Sequence, residues 1–292
     1  MTNLVEELLE KSTFPKGKLV CAVSGGADSM ALLVLAAATE SKVKAIHIDH
    51  GIRKGSDEEI ELVQETAERF KAEFESIKVQ VKPGPNLESR ARSARYGALP
   101  KGVLTGHTAD DQAETILLAL IRGSAWHGLS GMRPSTSKPI LKLRRSETEA
   151  LCHEFKIKFF NAPSNEELIF RRNRIRHEAL PLLNEIAERD LVPLLNRQAD
   201  LLRNGADFIT EEAKNIDPTN CKELLDAHPV LARQAIRNWI WETRKNEHPP
   251  DLATIDRVLQ VAKLESLATD IGGGWRIART NRILRIEIPE EK

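Results

Sequence analysis

Cysteine is scarce in this sequence. The 292-residue chain holds three, Cys21, Cys152 and Cys221. They are far apart and form no C-x-x-C pair, which excludes a disulfide framework and a zinc site. Cys21 falls in an apolar run and reads as a small core residue. No stretch of about 18 apolar residues exists, so a membrane-spanning helix is not expected. The opening MTNLVEELLEKS carries acids and no apolar run, which argues against a secretory signal and for a cytoplasmic location. Net charge is missing as well, since 43 Lys and Arg balance 43 Asp and Glu. There is no internal repeat and no low-complexity tract.

The balance of charge hides an asymmetry. From Lys138 to Arg176 ten basic residues stand against five acids, whereas from Ser56 to Glu75 eight acids stand against two bases. A polyanionic partner is therefore served only by a local basic surface, and the acidic stretch is expected to face solvent away from it.

With 41% hydrophobic residues the chain is long enough for one large or two ordinary domains. Helical spacing predicts a leading helix over 4–11. Strands are predicted at 18–23, 44–49, 76–81 and 102–105, alternating with helices at 28–39, 56–70, 87–99 and 109–122. That rhythm predicts an α/β fold with a mostly parallel sheet and helices on both faces. After residue 141 the rhythm changes to helices, then to an alternating stretch with Thr280, Asn281 and Arg282 near a hairpin turn. We expect a catalytic domain with its linking helices over 1–215 and a smaller C-terminal α+β domain over 216–292.

Ligands of parallel sheets bind beyond the carboxyl ends of the strands. Ser24, His50 and His107 all fall just past predicted strand ends. "VCAVSGGADSMALLVL" runs from a strand through two glycines into a helix. It is neither a Walker A sequence nor G-x-G-x-x-G. Glycines permit a tight turn with close backbone approach, and a helix N-terminus favours an anion such as phosphate. The bland alternative is an ordinary turn in which Asp28 or Ser24 caps the helix. Ser24, Gly25, Gly26 and Ser29 offer donors to phosphate, while Asp28 suits Mg²⁺ better than an anion. Near it, His50 and Arg53 in "HIDHGIR" read as ATP contacts or as a turn with a solvated arginine. Arg92 and Arg95 share one helix face, against phosphate or open to solvent.

"GHTADDQAETILLALIRGS" places Asp110, Asp111 and Glu114 within about one turn. Thr108 and Asp111 match a capping box, which gives one acid an innocent role. Like charges so close need a neutralising cation, either Mg²⁺ or the ammonium of a bound amino acid.

The segment "SGGADS" matches the pyrophosphate loop of ATP pyrophosphatases. Together with "HGIR", "RSARY", "GHTADDQAETILLALIRGS", "GLSGM", "SN" and "RRNRIRHEALPLL", it resembles the bacterial tRNA(Ile)-lysidine synthetases from about Val20 to Leu183. Weaker similarity runs on to "GGGWRIAR". The resemblance implies a Rossmann-like, adenine nucleotide alpha hydrolase-like fold. It implies ATP-dependent adenylation of cytidine 34 in a CAU anticodon, then attack by the lysine ε-amine to give lysidine, AMP and diphosphate. The partners implied are tRNA(Ile), L-lysine, ATP and Mg²⁺, and dimerisation is a family expectation.

On this resemblance Asp111 and Glu114 hold the lysine amine or Mg²⁺, Asp28 and Asp111 being the metal candidates. Arg92 or Arg95 stabilises phosphate charge, and His107 joins the ATP site. Arg122, Arg172, Asn173 and Arg176 face substrate or tRNA. Ala162 stands where relatives commonly carry an acid. Relatives with a further C-terminal tRNA-binding module are longer, so a short form is expected. The rival readings are a tRNA thiolation enzyme, which needs a thiol to carry sulfur, and a small-molecule ATP pyrophosphatase. A non-enzymatic nucleotide sensor or RNA-binding module is a third.

Overall fold

Four parallel strands form the first sheet: β1 (Leu19–Ala22), β2 (Val43–Asp49), β3 (Glu73–Lys78) and β4 (Leu104–Thr105), in the order β3-β2-β1-β4. The computed structural model describes residues 2–49, 56–79, 97–160, 167–245 and 249–288. The chain divides into two compact units, 1–200 and 201–292. The division falls inside a long helix (Val192–Glu212), earlier than residue 216, where the helical run was expected to hand over.

The first unit starts with α1 (Asn3–Glu10), capped by the Thr2 hydroxyl, which accepts from the Val5 N–H. β1 leads through the glycine loop into α2 (Ala27–Ala38). This helix is apolar nearly all round, and nine of its twelve residues are buried, as such a sequence requires. α3 (Ser56–Arg69) buries Val63 and Ala67 on the same core and leaves Asp57, Glu58, Glu61, Glu65 and Glu68 exposed. The acidic stretch is thus a solvated helix face. Cys21, Leu32, Leu33, Leu104, Ile140, Leu143 and Leu151 complete this core.

The third strand lies three residues earlier than the expected 76–81. β2 fixes its register, pairing Lys44 with Glu73 through to Asp49 with Lys78. Its charged positions are mostly exposed on the sheet edge, where charge is tolerated and apolar alternation is not needed. Sequence pattern therefore undershot the strand.

Strand order decides where a ligand can sit. Successive connections carry the chain from β1 to β2 to β3, and β4 then returns to the opposite side of β1. Cys21 pairs with Leu104 and Ala22 with Thr105. The crevice beyond the carboxyl ends of β1 and β4 is the switch point of the sheet, the place where open α/β folds bind ligands.

After β4 come α4 (Ala109–Ile121), the short α5 (Trp126–Leu129) and α6 (Arg145–Glu154). The basic segment follows as α7 (Arg171–Arg174), a π-helical turn (Ile175–Ala179) and α8 (Leu180–Ala187). Ile175, Leu180 and Val192 pack on Ala109, Ala113 and Leu117 of α4. Helix α9 (Val192–Glu212) follows.

The second unit contains α10 (Cys221–Asp226), α11 (Pro229–Arg244) and α12 (Leu252–Ala262). An antiparallel sheet of β5 (Ala268–Gly272), β6 (Trp275–Thr280) and β7 (Ile283–Glu287) closes it. The expected hairpin turn is present at Asn281 and Arg282, both at positive φ, as a two-residue turn between twisted strands requires. Sequence pattern suggested two strands, and the sheet has three. Its core joins Ile236, Ile240, Val258 and Val261 to Ile277 and Leu284.

All three cysteines are buried. Burial pushes the Cys21 and Cys152 thiols up to about 12. A thiol-exchange reagent near about pH 8 should therefore leave these two unmodified in the native chain and titrate all three only after denaturation. Rapid native labelling of Cys21 or Cys152 would contradict this packing.

Candidate functional site

Hydrogen bonds within the chain build the glycine loop. The Ser24 N–H donates to Ser29 Oγ at 3.1 Å, and Ser29 Oγ donates to the Gly26 carbonyl at 2.8 Å. Gly25 sits at φ +84°, a conformation glycine adopts without steric cost. Its carbonyl accepts from the Phe160 N–H at 2.9 Å. Gly26 is the N-cap of α2, and no side chain caps the helix there. The bland reading, in which Asp28 or Ser24 caps α2, is therefore not what the chain does. The Ser29 N–H donates to the Gly26 carbonyl at 3.0 Å, which leaves the Ala27 and Asp28 amides at the helix start to face an anion.

Gly106 explains how a second loop reaches the first. A Cβ there would lie 2.9 Å from the backbone C and O of Asp28. Only glycine lets the loop after β4 lie against the start of α2. Just beyond it, His107 Nδ1 lies 2.8 Å from Thr105 Oγ1. Thr108 is the N-cap of α4, and its backbone N–H and hydroxyl both donate to Asp111 Oδ2, at 2.9 and 3.2 Å. The capping role read for Asp111 is real.

Asp28, Asp111 and Glu114 then meet three guanidiniums. Glu114 is 1% exposed and accepts from Arg172 Nε at 2.7 Å and Arg176 Nε at 2.7 Å. Arg172 Nη2 also reaches Asp111 Oδ1 at 2.9 Å. Arg145 spans all three acids: Nε to Asp28 Oδ2 at 3.4 Å, Nη1 to Glu114 Oε1 at 3.3 Å, Nη2 to Asp111 Oδ1 at 3.3 Å. Three carboxylates and three guanidiniums balance within one partly buried cluster. Removing an arginine partner of Glu114 is costly, because that deeply buried charge is left short of compensation.

Local structure aims the arginines. Arg172 and Arg176 are four apart, across the junction of α7 with the π-helical turn. Wider turns of this kind recur at functional sites. Asn173 is buried and donates to the Glu167 carbonyl at 2.9 Å. Arg172 and Arg176, expected to face substrate or tRNA, turn toward buried Glu114, which requires compensation. Arg122 is the exposed C-cap residue of α4. Asp110 faces elsewhere, accepting from Arg144 Nε and Nη2 at 3.1 Å each. His50, Arg53, Arg92, Arg95 and Ala162 lie outside the described residues.

Two site residues escaped the sequence reading, Arg145 and Thr148. Thr148 donates its hydroxyl to Asp28 Oδ1. Both lie in the first turn of α6, where Glu147 Oε2 accepts from the Arg144 N–H at 2.7 Å. The excess of base from Lys138 onward was the available signal, but it did not say which arginine turns inward.

Electrostatics separate the acids. Asp111 is held below its usual value: burial alone would raise it, and Arg172 and Arg145 outweigh that cost. Asp28 is pushed up to about 6, chiefly by burial and further by Asp111, with Thr148 and Arg145 compensating only in part. Among the described residues no group of three or more His, Cys, Asp and Glu could hold a metal. Mg²⁺ commonly takes one or two carboxylates and completes its shell with phosphate and water. Asp28, undercompensated beside the glycine loop, fits that demand. Asp111 fits it less well: the helix cap holds one oxygen and guanidiniums meet the other at 2.9 and 3.3 Å, whereas among the described residues Asp28 Oδ2 meets only Arg145 Nε, at 3.4 Å.

A PP-loop domain model matches residues 1–183, most of the chain. A tRNA(Ile)-lysidine synthase of Rhodococcus erythropolis is 37% identical over 242 residues, covering 77% of this chain and 74% of that protein. The chain belongs to the PP-loop family, among the tRNA(Ile)-lysidine synthases. Its similarity to the family member of Mycobacterium tuberculosis is 38% identity over 75% of this chain and 73% of that one. For the member from Cutibacterium acnes the figures are 30%, 82% and 84%. The fold is also that of a U34-tRNA thiolase from Methanococcus maripaludis, with a TM-score of 0.55 at 18% identity over 68% of this chain and 79% of that one.

Two outcomes follow. Asp28→Asn should stabilise the folded protein near neutral pH. The folded carboxyl binds its proton more tightly than the unfolded one, so the cost of ionising it is present above about pH 6 and fades toward about pH 4. The gain should be roughly 1–3 kcal/mol at about pH 8 and near zero at about pH 4, read from melting curves. A gain that ignores pH would contradict this reading of Asp28. Gly106→Ala should cost about 1–3 kcal/mol in denaturant titrations, because the clashing atoms are backbone.

Proposed function

We propose that the chain ligates L-lysine to C2 of cytidine 34 in the CAU anticodon of tRNA(Ile), consuming ATP and releasing AMP and diphosphate. The observation that carries this reading is the acid–arginine cluster at the sheet's switch point, beside an uncapped helix start, in a member of this family.

The glycine amides of the loop and the Ala27 and Asp28 amides at the start of α2 bind and orient the β- and γ-phosphates, and the Ser24 hydroxyl adds a donor. The cytosine C2 oxygen attacks the α-phosphorus, and the α–β bond breaks to release diphosphate. Asp28 holds Mg²⁺, which when bound neutralises charge on the departing group. The ε-amine of lysine then attacks C2, and the C2–O bond breaks to release AMP. Adenylation makes that oxygen a leaving group, and positioning makes the amine effective. Asp111 and Glu114 orient the ammonium and draw its proton before attack. Arg172 and Arg176 keep those two carboxylates aimed, and exposed Arg122 is left for tRNA phosphate. His107, Arg92, Arg95, His50 and Arg53 complete the nucleotide side in this reading.

A sulfur-transfer reading fits less well. All three cysteines are buried and two have thiols near 12, so none is a ready sulfur carrier.

Incubation with ATP, labelled lysine and CAU-bearing tRNA should yield lysidine on nucleoside analysis, with AMP in equal amount. Glu114→Gln should lower lysidine formation by about 10²-fold or more, in the range for a positioned proton-transfer group. AMP release without lysine incorporation would favour a small-molecule pyrophosphatase instead.

A further inference from the structure

We propose that Arg145 is a place-holding cation for the lysine site, and that nucleotide binding draws it away, so that ATP prepares the site for lysine. The proposal rests on the lysine-ligase reading above.

The geometry sets Arg145 apart from the other two arginines. Arg172 and Arg176 each contact Glu114 at 2.7 Å, the short range of charge-assisted bonds. Arg145 spreads three nitrogens over three acids, at 3.3, 3.3 and 3.4 Å. It stands among the carboxylates while gripping none of them tightly. It is also the first residue of α6, at the helix end whose dipole disfavours a cation. The acids, not its own helix, keep it in place.

Charge balance makes exchange necessary. The cluster is neutral with three guanidiniums present. A substrate ammonium that entered without any departure would leave a partly buried excess positive charge, which is costly. The cation to yield is the one whose shortest contact with an acid is longest, and that is Arg145, at 3.3 Å against 2.7 Å for the other two. Its destination is indicated by Asp28, which Arg145 Nε already touches and which lies in the first turn of α2, beside the phosphate-accepting loop. A phosphate there gives a planar guanidinium a bidentate anionic partner. As Arg145 leaves Asp111 and Glu114, those acids become available to one primary ammonium.

The experiment is calorimetric titration of L-lysine into the full chain, with and without Mg²⁺ and α,β-methylene-ATP, in the absence of tRNA. In the wild type the nucleotide should tighten lysine binding about tenfold, within the usual range of coupling between sites. In Arg145→Gln, lysine should bind about tenfold tighter than in wild type without nucleotide, and the coupling should fall to about one. Arg145→Lys, which keeps a cation, should retain coupling. A merely structural arginine predicts the reverse, weaker lysine binding in Arg145→Gln under both conditions. Unchanged coupling in that variant, or weaker lysine binding, overturns the proposal. So does a wild type in which nucleotide leaves lysine affinity unaltered, a result that needs no variant to fold. Wild-type protein that makes lysidine but shows no coupling sinks the place-holder alone. Protein that neither binds lysine nor makes lysidine sinks the ligase reading itself.

Discussion

Glu114 is a carboxylate with almost no access to water, and most of the site's geometry follows from that burial. An isolated charge in such surroundings is prohibitively costly, so the chain must bring cations to it. It does so from two directions: Arg172 and Arg176 from the segment after residue 170, and Arg145 from the start of α6. Three segments distant in sequence are thereby tied at one point. The apolar contacts of Ile175 and Leu180 with Ala113 and Leu117 support the same arrangement from below.

The cluster gains chemical meaning from where it lies. At the switch point of the sheet, the loop after β1 and the loop after β4 leave neighbouring strands in the same direction. One loop carries uncapped amides and the other carries the acids. Gly106 permits their approach, since any side chain there would strike the backbone of Asp28. An edge of amide donors and an edge of carboxylates therefore lie side by side.

The acids differ in how well they are compensated. Asp111 and Glu114 are held by arginines and by a helix cap, whereas Asp28 is left short of positive charge. Stability has been given up at Asp28, a pattern common where a site awaits a ligand. Internal arginines also answer the question raised by three acids so close together. Arg145, Arg172 and Arg176 are cations the chain itself brings to them.

Much of this was legible in the sequence, for a local reason. The strand–glycine–helix loop, the Thr108–Asp111 cap and the Asn281–Arg282 turn depend on neighbours within a few residues, and backbone sterics enforce them. The alternation of strands and helices follows from hydrophobic period and gave the α/β class. Other features were not local. The start of β3 was decided by pairing with β2, because an edge strand of EFESIK lacks an apolar alternation. The inward turn of Arg172 and Arg176, the spanning role of Arg145 and the bond from Thr148 were decided by tertiary structure alone. Sequence supplies charges and their spacing along one element. Which opposite charges meet, across separations of 31 to 117 residues, depends on which helix ends the sheet topology gathers and on how far burial there strips them of water.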